Sequence, residues 1–459
     1  MATRWRWSPT SRGGGVADPG FDVVLREVAG RGGGDAELYV TRTRTRRYEA
    51  REGRLDGIAF ADTVSLGLRV FRRGRMGFSY GFRGDAADLA RMVEEALFCA
   101  DASDPDPAYG LPDPAGAAGD LPLYDPSVET IPEEEKAEFA RSLEAKVLAR
   151  DSRMARVRTA ALHETVGAVS LFHSRGFAAS RRESRCTAHV ESVAEENGEG
   201  QTGYGFGFAR SLRGLDAGAI ADEGADRALR MLGAVRPKTG EYRAVLENGA
   251  AAELLEVLVP SFLSSQVAKG KSMLAGKVGR KVASGAITVE DDPLDPAGSG
   301  AESFDAEGTP TRRRVLIAEG EHRGFLADAF WGRKVGTGST GACRRPGAKQ
   351  PPTVGISNLR IAAGEVSLSA LCEAARDGIL LTEFLGIHTA DPVSGDFSVG
   401  ASGIRIARGA PAEPLHGFAV SGNILGLLEK VGAAGSDFRW FGNVGAPSLL
   451  VSAISVGGE

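Results

Sequence analysis

AELYVTRTRTRRYEAREGRLDGIAFADTVSLGLRVFRRGRMGFSYGF, residues 36–82, decides the fold class. Val, Leu, Phe and Tyr alternate with charged residues, which is the pattern of half-buried strands, and the turns EGR and RRGR break the run into successive strands. The arginine-threonine alternation at 41–51 belongs to a solvated strand face. Asp85 then stands where an N-cap belongs, and DAADLARMVEEALFCA places Leu89, Met92, Val93, Ala96 and Leu97 on one helix face. The stretch therefore predicts strands followed by a helix.

The same grammar returns further along. After a Pro-, Asp- and Gly-rich loop over 101–132, PEEEKAEFARSLEAKVLAR opens with Pro132 and three acids, which suit a helix N-terminus. Three strands follow in ARVRTAALHETVGAVSLFHS, ESRCTAHVESVAEE and TGYGFGFARS, and then the helix IADEGADRALRMLG. Two strand-then-helix units imply helices on one face of a sheet. Pro237 and Gly240 punctuate a polar segment, and a domain break is expected there.

Beyond it, NGAAAELLEVLVPSFLSSQVAKG carries one or two helices. Short strands separated by Gly, Asp and Pro come next, as in GAITVEDDPLDP, RRRVLIAEGEHRG, NLRIAAGEV, DFSVGASGIRIARG and SLLVSAISV. Segment 331–358 has little apolar periodicity and reads as a long loop. The expected fold is α+β: an N-terminal α/β-type domain with a curved sheet and helices (21–236), then a mostly antiparallel, barrel-like β domain (237–459). Residues 1–20, basic but without an apolar core of signal-peptide length, read as a disordered leader.

Composition narrows the function. The 459 residues are 42% hydrophobic and 25% charged, as in a soluble globular protein, and no apolar run is long enough to span a membrane. A net charge of -5 argues against a general nucleic-acid binder, and a cytoplasmic location is expected by default. Cys99, Cys186, Cys343 and Cys372 are scattered singly, so neither a disulfide framework nor a zinc ribbon is present; Cys372 reads as a buried inert thiol.

His163 and Glu164 look like the start of a zinc-protease helix. A second His is needed four or five residues after the first, where this chain has Gly167 and Ala168. The apolar pattern of the segment is that of a strand, which sends His163 and Glu164 to opposite faces. VGTGSTG at 335–341 matches no phosphate-loop pattern and reads as loop glycine. In GIHTADPVSGDFSVGASGIRIARG, Pro392 and Gly395 set a turn, Phe397 and Val399 alternate on a strand, and Gly400 and Gly403 allow a bulge. This hairpin is suited to pairing with an extended peptide or packing on a partner.

Several signatures, in order, give the chain a resemblance. They are AREGRLDGIAFADTVSLGLRVFRRGRMGFSY at 50–80, LFHSRGF at 171–177, SMLAGKVGRKVAS at 272–284, ITVEDDPLDP at 287–296, DAEGTPTRRRVLIAEG at 305–320, SGDFSVGASG at 394–403 and VSGNILGLLEKV at 420–431. Together they resemble the TldD/PmbA family of metallopeptidases, also called modulators of DNA gyrase, and specifically its TldE (PmbA) branch. That resemblance implies a heterodimer in which a TldD-type subunit supplies an H-E-x-x-x-H zinc helix and a C-terminal Cys. The corresponding segment here, 247–269, contains Glu247, Glu253 and Glu256 but no His, and the C-terminal WFGNVGAPSLLVSAISVGG has no Cys.

By analogy the chain is a non-catalytic partner, with no catalytic or metal residues and no cofactor of its own. Zinc belongs to the TldD-like subunit, and the pair trims or degrades extended, unfolded peptides, such as the leader of a modified peptide. Gly395, Asp396, Phe397, Ser398, Gly400 and Asn423 are the candidate contacts to substrate or partner; isolated, the chain is compatible with a homodimer. Two rival readings are a self-sufficient metallopeptidase using His388 and His416 with carboxylates, and a regulatory protein of the gyrase-modulator type.

Overall fold

The computed structural model describes residues 21–113, 119–347 and 349–459; the leader expected at 1–20 lies outside the described residues. The N-terminal half consists of two units in the same order. The first is α1 (Asp22–Gly30), β1 (Asp35–Arg51), β2 (Arg54–Arg72), β3 (Arg75–Gly81) and α2 (Ala86–Ala102). The second is α3 (Glu133–Arg150), β4 (Met154–His173), β5 (Ala178–Glu196), β6 (Glu199–Ala209) and α4 (Ala217–Leu229). The strands form one antiparallel sheet ordered β3-β2-β1-β4-β5-β6. β1 and β4 meet at its centre, with Thr43 opposite Gly167, so the two units are related by an approximate two-fold axis through that pairing.

Period-two burial explains the layers. Leu38, Leu66 and Leu68 lie under α1 and α2 with Val28, Met92 and Val93, while Leu162, Ala188 and Val190 lie under α3 and α4 with Ala140, Leu143 and Ala225. Asp85 caps α2 as its position predicts, accepting the Asp88 N–H at 2.9 Å. α1 gave no such signal, since no side chain caps its N-terminus; it is held by Val24, Leu25 and Val28.

Between the two apolar clusters runs a polar seam. Buried Glu164 accepts from Lys136 (2.9 Å) and Arg46 (3.0 Å). His163 projects from the opposite face and stacks on His189, ring centroids 5.5 Å apart. The sheet thus separates the His-Glu pair, and neither residue faces a metal partner supplied by the other.

The C-terminal half builds a closed barrel from β7 (Gly240–Leu246), β8 (Gly378–Leu385), β9 (Asp396–Ala407), β10 (Ala410–Asn423) and β11 (Leu449–Gly457). The order is β10-β9-β8-β7-β11, and pairing of β10 with β11 closes the ring. Only β7 and β8 run parallel within it. A second sheet of six short strands, including Val289–Asp291, Arg314–Ala318 and Leu359–Ile361, packs over the barrel. Between them α5 (Asn248–Leu258) buries Leu254, Leu255 and Leu258 in one shared core.

The segment 331–358 departs from the loop expected of it. Ala329–Val335 is helical, and Cys343–Arg344 pairs with Thr353–Val354. Buried Ala342 and Val354 seat it in the core without any regular apolar period, and charge ties it across the molecule. Arg345 donates to Glu37 at 2.7 Å across the boundary between halves, beside Arg69, which bonds Glu37 and, at 2.9 Å, Glu307. All four side chains are buried. Arg181 of β5 reaches Glu302 in the same boundary.

Candidate functional site

The hairpin over 386–409 forms one mouth of the barrel. Asp391 holds its turn, accepting the Val393 N–H at 2.8 Å and the Ser394 N–H at 3.3 Å. Gly395 sits at φ +83°, which favours glycine, and a Cβ there would press on the Asn423 amide nitrogen and the Met273 sulfur, each at 3.3 Å. Asn423 is the hub. Its Nδ2 donates to the Ser394 carbonyl and to Asp396, each at 2.8 Å, while its Oδ1 caps the short helix Ile424–Glu429 through the Leu425 and Gly426 N–H groups.

The six candidate contact residues divide in two. Asp396 and Ser398 are exposed on the rim, with Asn423 half-buried beside Asp396. Phe397 instead turns into the barrel and meets Phe384 edge-on at 6.1 Å; Gly395 is buried beneath the turn, and Gly400 packs against Leu385. β9 is also not a free edge. It pairs with β10 from Asp396 onward and with β8 from Gly400 onward, leaving only Asp396–Val399 without a strand on the β8 side. The expected bulge is present near Ala401–Gly403.

A cleft of about 630 Å³ opens beside this rim, between the hairpin and the segment 272–284. Ser394, Asn423 and Gly426 line one side, and Met273, Lys277 and Arg280 the other. Both segments stand out in the sequence, but they are more than a hundred residues apart and only the fold brings them together. His388 and His416 are both exposed. His416 is engaged through Nδ1 with the Ser402 hydroxyl at 3.0 Å. Among the described residues no group of three or more His, Cys, Asp or Glu side chains is placed to hold a metal.

Three family models match in succession: PmbA/TldA metallopeptidase domain 1 over residues 36–100, the central domain over 126–232 and the C-terminal domain over 239–458. The chain belongs to the PmbA/TldD metallopeptidase family. It is similar to metalloprotease PmbA of Escherichia coli O157:H7, at 26% identity over 97% of this chain and 96% of that one. It is also 26% identical to a metalloprotease TldD homolog of Haemophilus influenzae, over 92% of each. Among solved structures, TldE from Thermococcus kodakarensis shares the fold, with a TM-score of 0.88 at 22% identity over 96% of this chain and 100% of that one. A protein from Thermotoga maritima described as a modulator of DNA gyrase does too, with a TM-score of 0.88 at 24% identity over 95% and 99%.

A metal is implied by the names of the PmbA/TldD relatives. α5, within the segment where the zinc helix falls by analogy, offers Glu253 and Glu256 and no imidazole. Burial, reinforced by neighbouring Glu383 and Glu256, pushes the Glu253 carboxyl up to about 7, against an opposing hydrogen bond from the Phe384 N–H.

The shift has a consequence for stability. The unfolded chain loses the Glu253 proton near 4.5 while the folded chain keeps it until about 7, so stability falls as pH rises through that window. Glu253→Gln is expected to flatten this dependence, and denaturation midpoints measured between about pH 4.5 and 7.5 check it. An unchanged slope in the variant would refute the assignment.

Proposed function

We propose that this chain is the non-catalytic, TldE-like subunit of a cytoplasmic TldD/TldE metallopeptidase, whose zinc is carried by a TldD-like partner. The observation that carries the reading is the histidine-free α5: its acids are Glu253 and Glu256, and neither the 247–269 segment nor the C-terminal strand region supplies a His or Cys. The intact fold around α5 supports a retained structural role, since Leu254, Leu255 and Leu258 remain core residues. The substrate class is an extended or unfolded peptide. The rim of the barrel, with Asp396, Ser398 and Asn423 at its surface, is the face offered to substrate or partner, while Gly395, Phe397 and Gly400 shape it from beneath.

Co-expression with a TldD-like subunit tests this. A stable 1:1 complex is expected on size-exclusion chromatography, with peptide cleavage only in the complex and abolished by mutating the partner's zinc histidine. Stoichiometric zinc and peptide cleavage in the purified chain alone would sink the reading.

A further inference from the structure

The cleft beside the barrel rim has an electrostatic character that the proposed function does not use. The segment 272–284 is wound tightly, with Gly276 and Gly279 at φ +70° and +76°. It is tied down by the Ser272 hydroxyl, which donates to the Ser261 carbonyl at 2.7 Å, and by two backbone bonds with His322: Gly279 N–H to its carbonyl (2.8 Å) and its N–H to the Arg280 carbonyl (3.0 Å). The result is a fixed platform bearing Lys277, Arg280 and Lys281, all lining the cleft.

None of these three cations has an ion-pair partner among the described residues, although the molecule otherwise pairs its arginines extensively. The lining contains a single carboxylate, Glu429. Three cations against one anion leave the cleft net positive in a chain whose overall charge is -5. Its floor is apolar, since Met273, Val282 and Leu425 are buried beneath the charged rim. At about 630 Å³ it exceeds what one inorganic anion fills and falls in the range that receives a few residues of peptide.

We propose that this cleft binds an extended peptide through its carboxylates, with Lys277, Arg280 and Lys281 as the recognition set and the Met273–Leu425 floor taking an adjoining apolar side chain. The proposal rests on the peptide-holding role inferred above and specifies which peptides are held. Acidic side chains and a free C-terminal carboxylate present the same chemistry to the platform, and the experiment separates them.

Fluorescently labelled octapeptides of Ala, Leu and Glu are titrated against the full chain, alongside their Gln counterparts and C-terminally amidated forms. The acidic peptide is expected to bind about tenfold more tightly than the neutral one, a preference that weakens as salt rises. Loss of the preference on Glu→Gln substitution assigns the side chains, and loss on amidation alone assigns the terminus. The K277A/R280A/K281A variant should abolish the preference, and K277E/R280E/K281E should reverse it toward a Lys-containing peptide. Equal binding of acidic and neutral peptides, or a preference surviving the triple alanine change, overturns the proposal. Complex formation with the TldD-like partner is scored on the same variants. A triple variant that still forms the 1:1 complex but loses the preference supports the cleft. A wild-type chain that shows the preference but forms no complex overturns the subunit reading and leaves the cleft standing.

Discussion

Replacing Arg69 by methionine is expected to lower the unfolding free energy by about 3–5 kcal/mol, the loss typical of a buried charge stripped of its partner. Arg69 is shared by Glu37 from β1 and Glu307 from the C-terminal half, at 2.5 Å and 2.9 Å. Both acids are buried, so neither can turn to water when the guanidinium goes. Arg345 remains on Glu37 at 2.7 Å, but among the described residues Glu307 would keep only the Ala329 N–H. Burial alone would raise the Glu37 carboxyl; Arg69, His173 and Arg345 together outweigh it and hold that carboxyl far below the usual range. Its contribution is therefore present above the unfolded value near 4.5 and fades as pH falls below it. Guanidinium denaturation at neutral pH, with Arg42→Met as the comparison, checks the magnitude. Arg42 pairs with Asp62 at 2.8 Å on an exposed strand, where such a pair contributes about 0–1 kcal/mol. An Arg69 loss no larger than the Arg42 loss would mean the boundary does not depend on this cluster.

That cluster also marks the limit of what the sequence makes legible. Strands in 36–82 and the face of α2 follow from residues within a few positions of one another, and they stand where the alternation puts them. The absence of histidine from α5 is equally local, since it needs only the letters between 247 and 269. Arg344 and Arg345, by contrast, lie in a Gly- and Pro-rich segment with no period to read, and their partners Glu302 and Glu37 come from other elements, Glu37 some three hundred residues away. The cleft is hidden for the same reason: Lys277 and Asn423 belong to different signatures, and only the closing of the barrel sets them side by side. The resemblance to a known family located the segments, but the charge on their shared cleft emerges from the packing.

One long-range contact was written locally, and it carries the second large effect. In TGYGFGF the glycines 203, 205 and 207 fall at period two opposite Tyr204, Phe206 and Phe208, which leaves one face of β6 without side chains. α4 fills that bare face backbone to backbone. A Cβ on Gly205 would overlap the Ile220 carbonyl oxygen and lie 2.8 Å from the Gly224 nitrogen, and one on Gly203 would lie 2.5 Å from the Ala228 nitrogen. The helix returns the favour with Gly224, whose carbonyl accepts the Ser192 hydroxyl at 2.8 Å. Gly205→Val must therefore lift the helix off the sheet, since no flexible side chain is available to yield. The expected loss is about 3 kcal/mol or more, at the upper end for overpacking. The two-fold relation supplies an internal replicate, because Gly77 meets α2 in the same manner, with a Cβ there 2.5 Å from the Ala100 nitrogen. Gly57→Ala is the contrast: no atom lies within 4 Å of its Cβ position, so its effect should stay within about 0.5 kcal/mol. Thermal and guanidinium denaturation of the three variants decide it. If Gly205→Val and Gly77→Val unfold where Gly57→Ala does, the helices are not seated on these glycines, and the bare strand face needs another occupant.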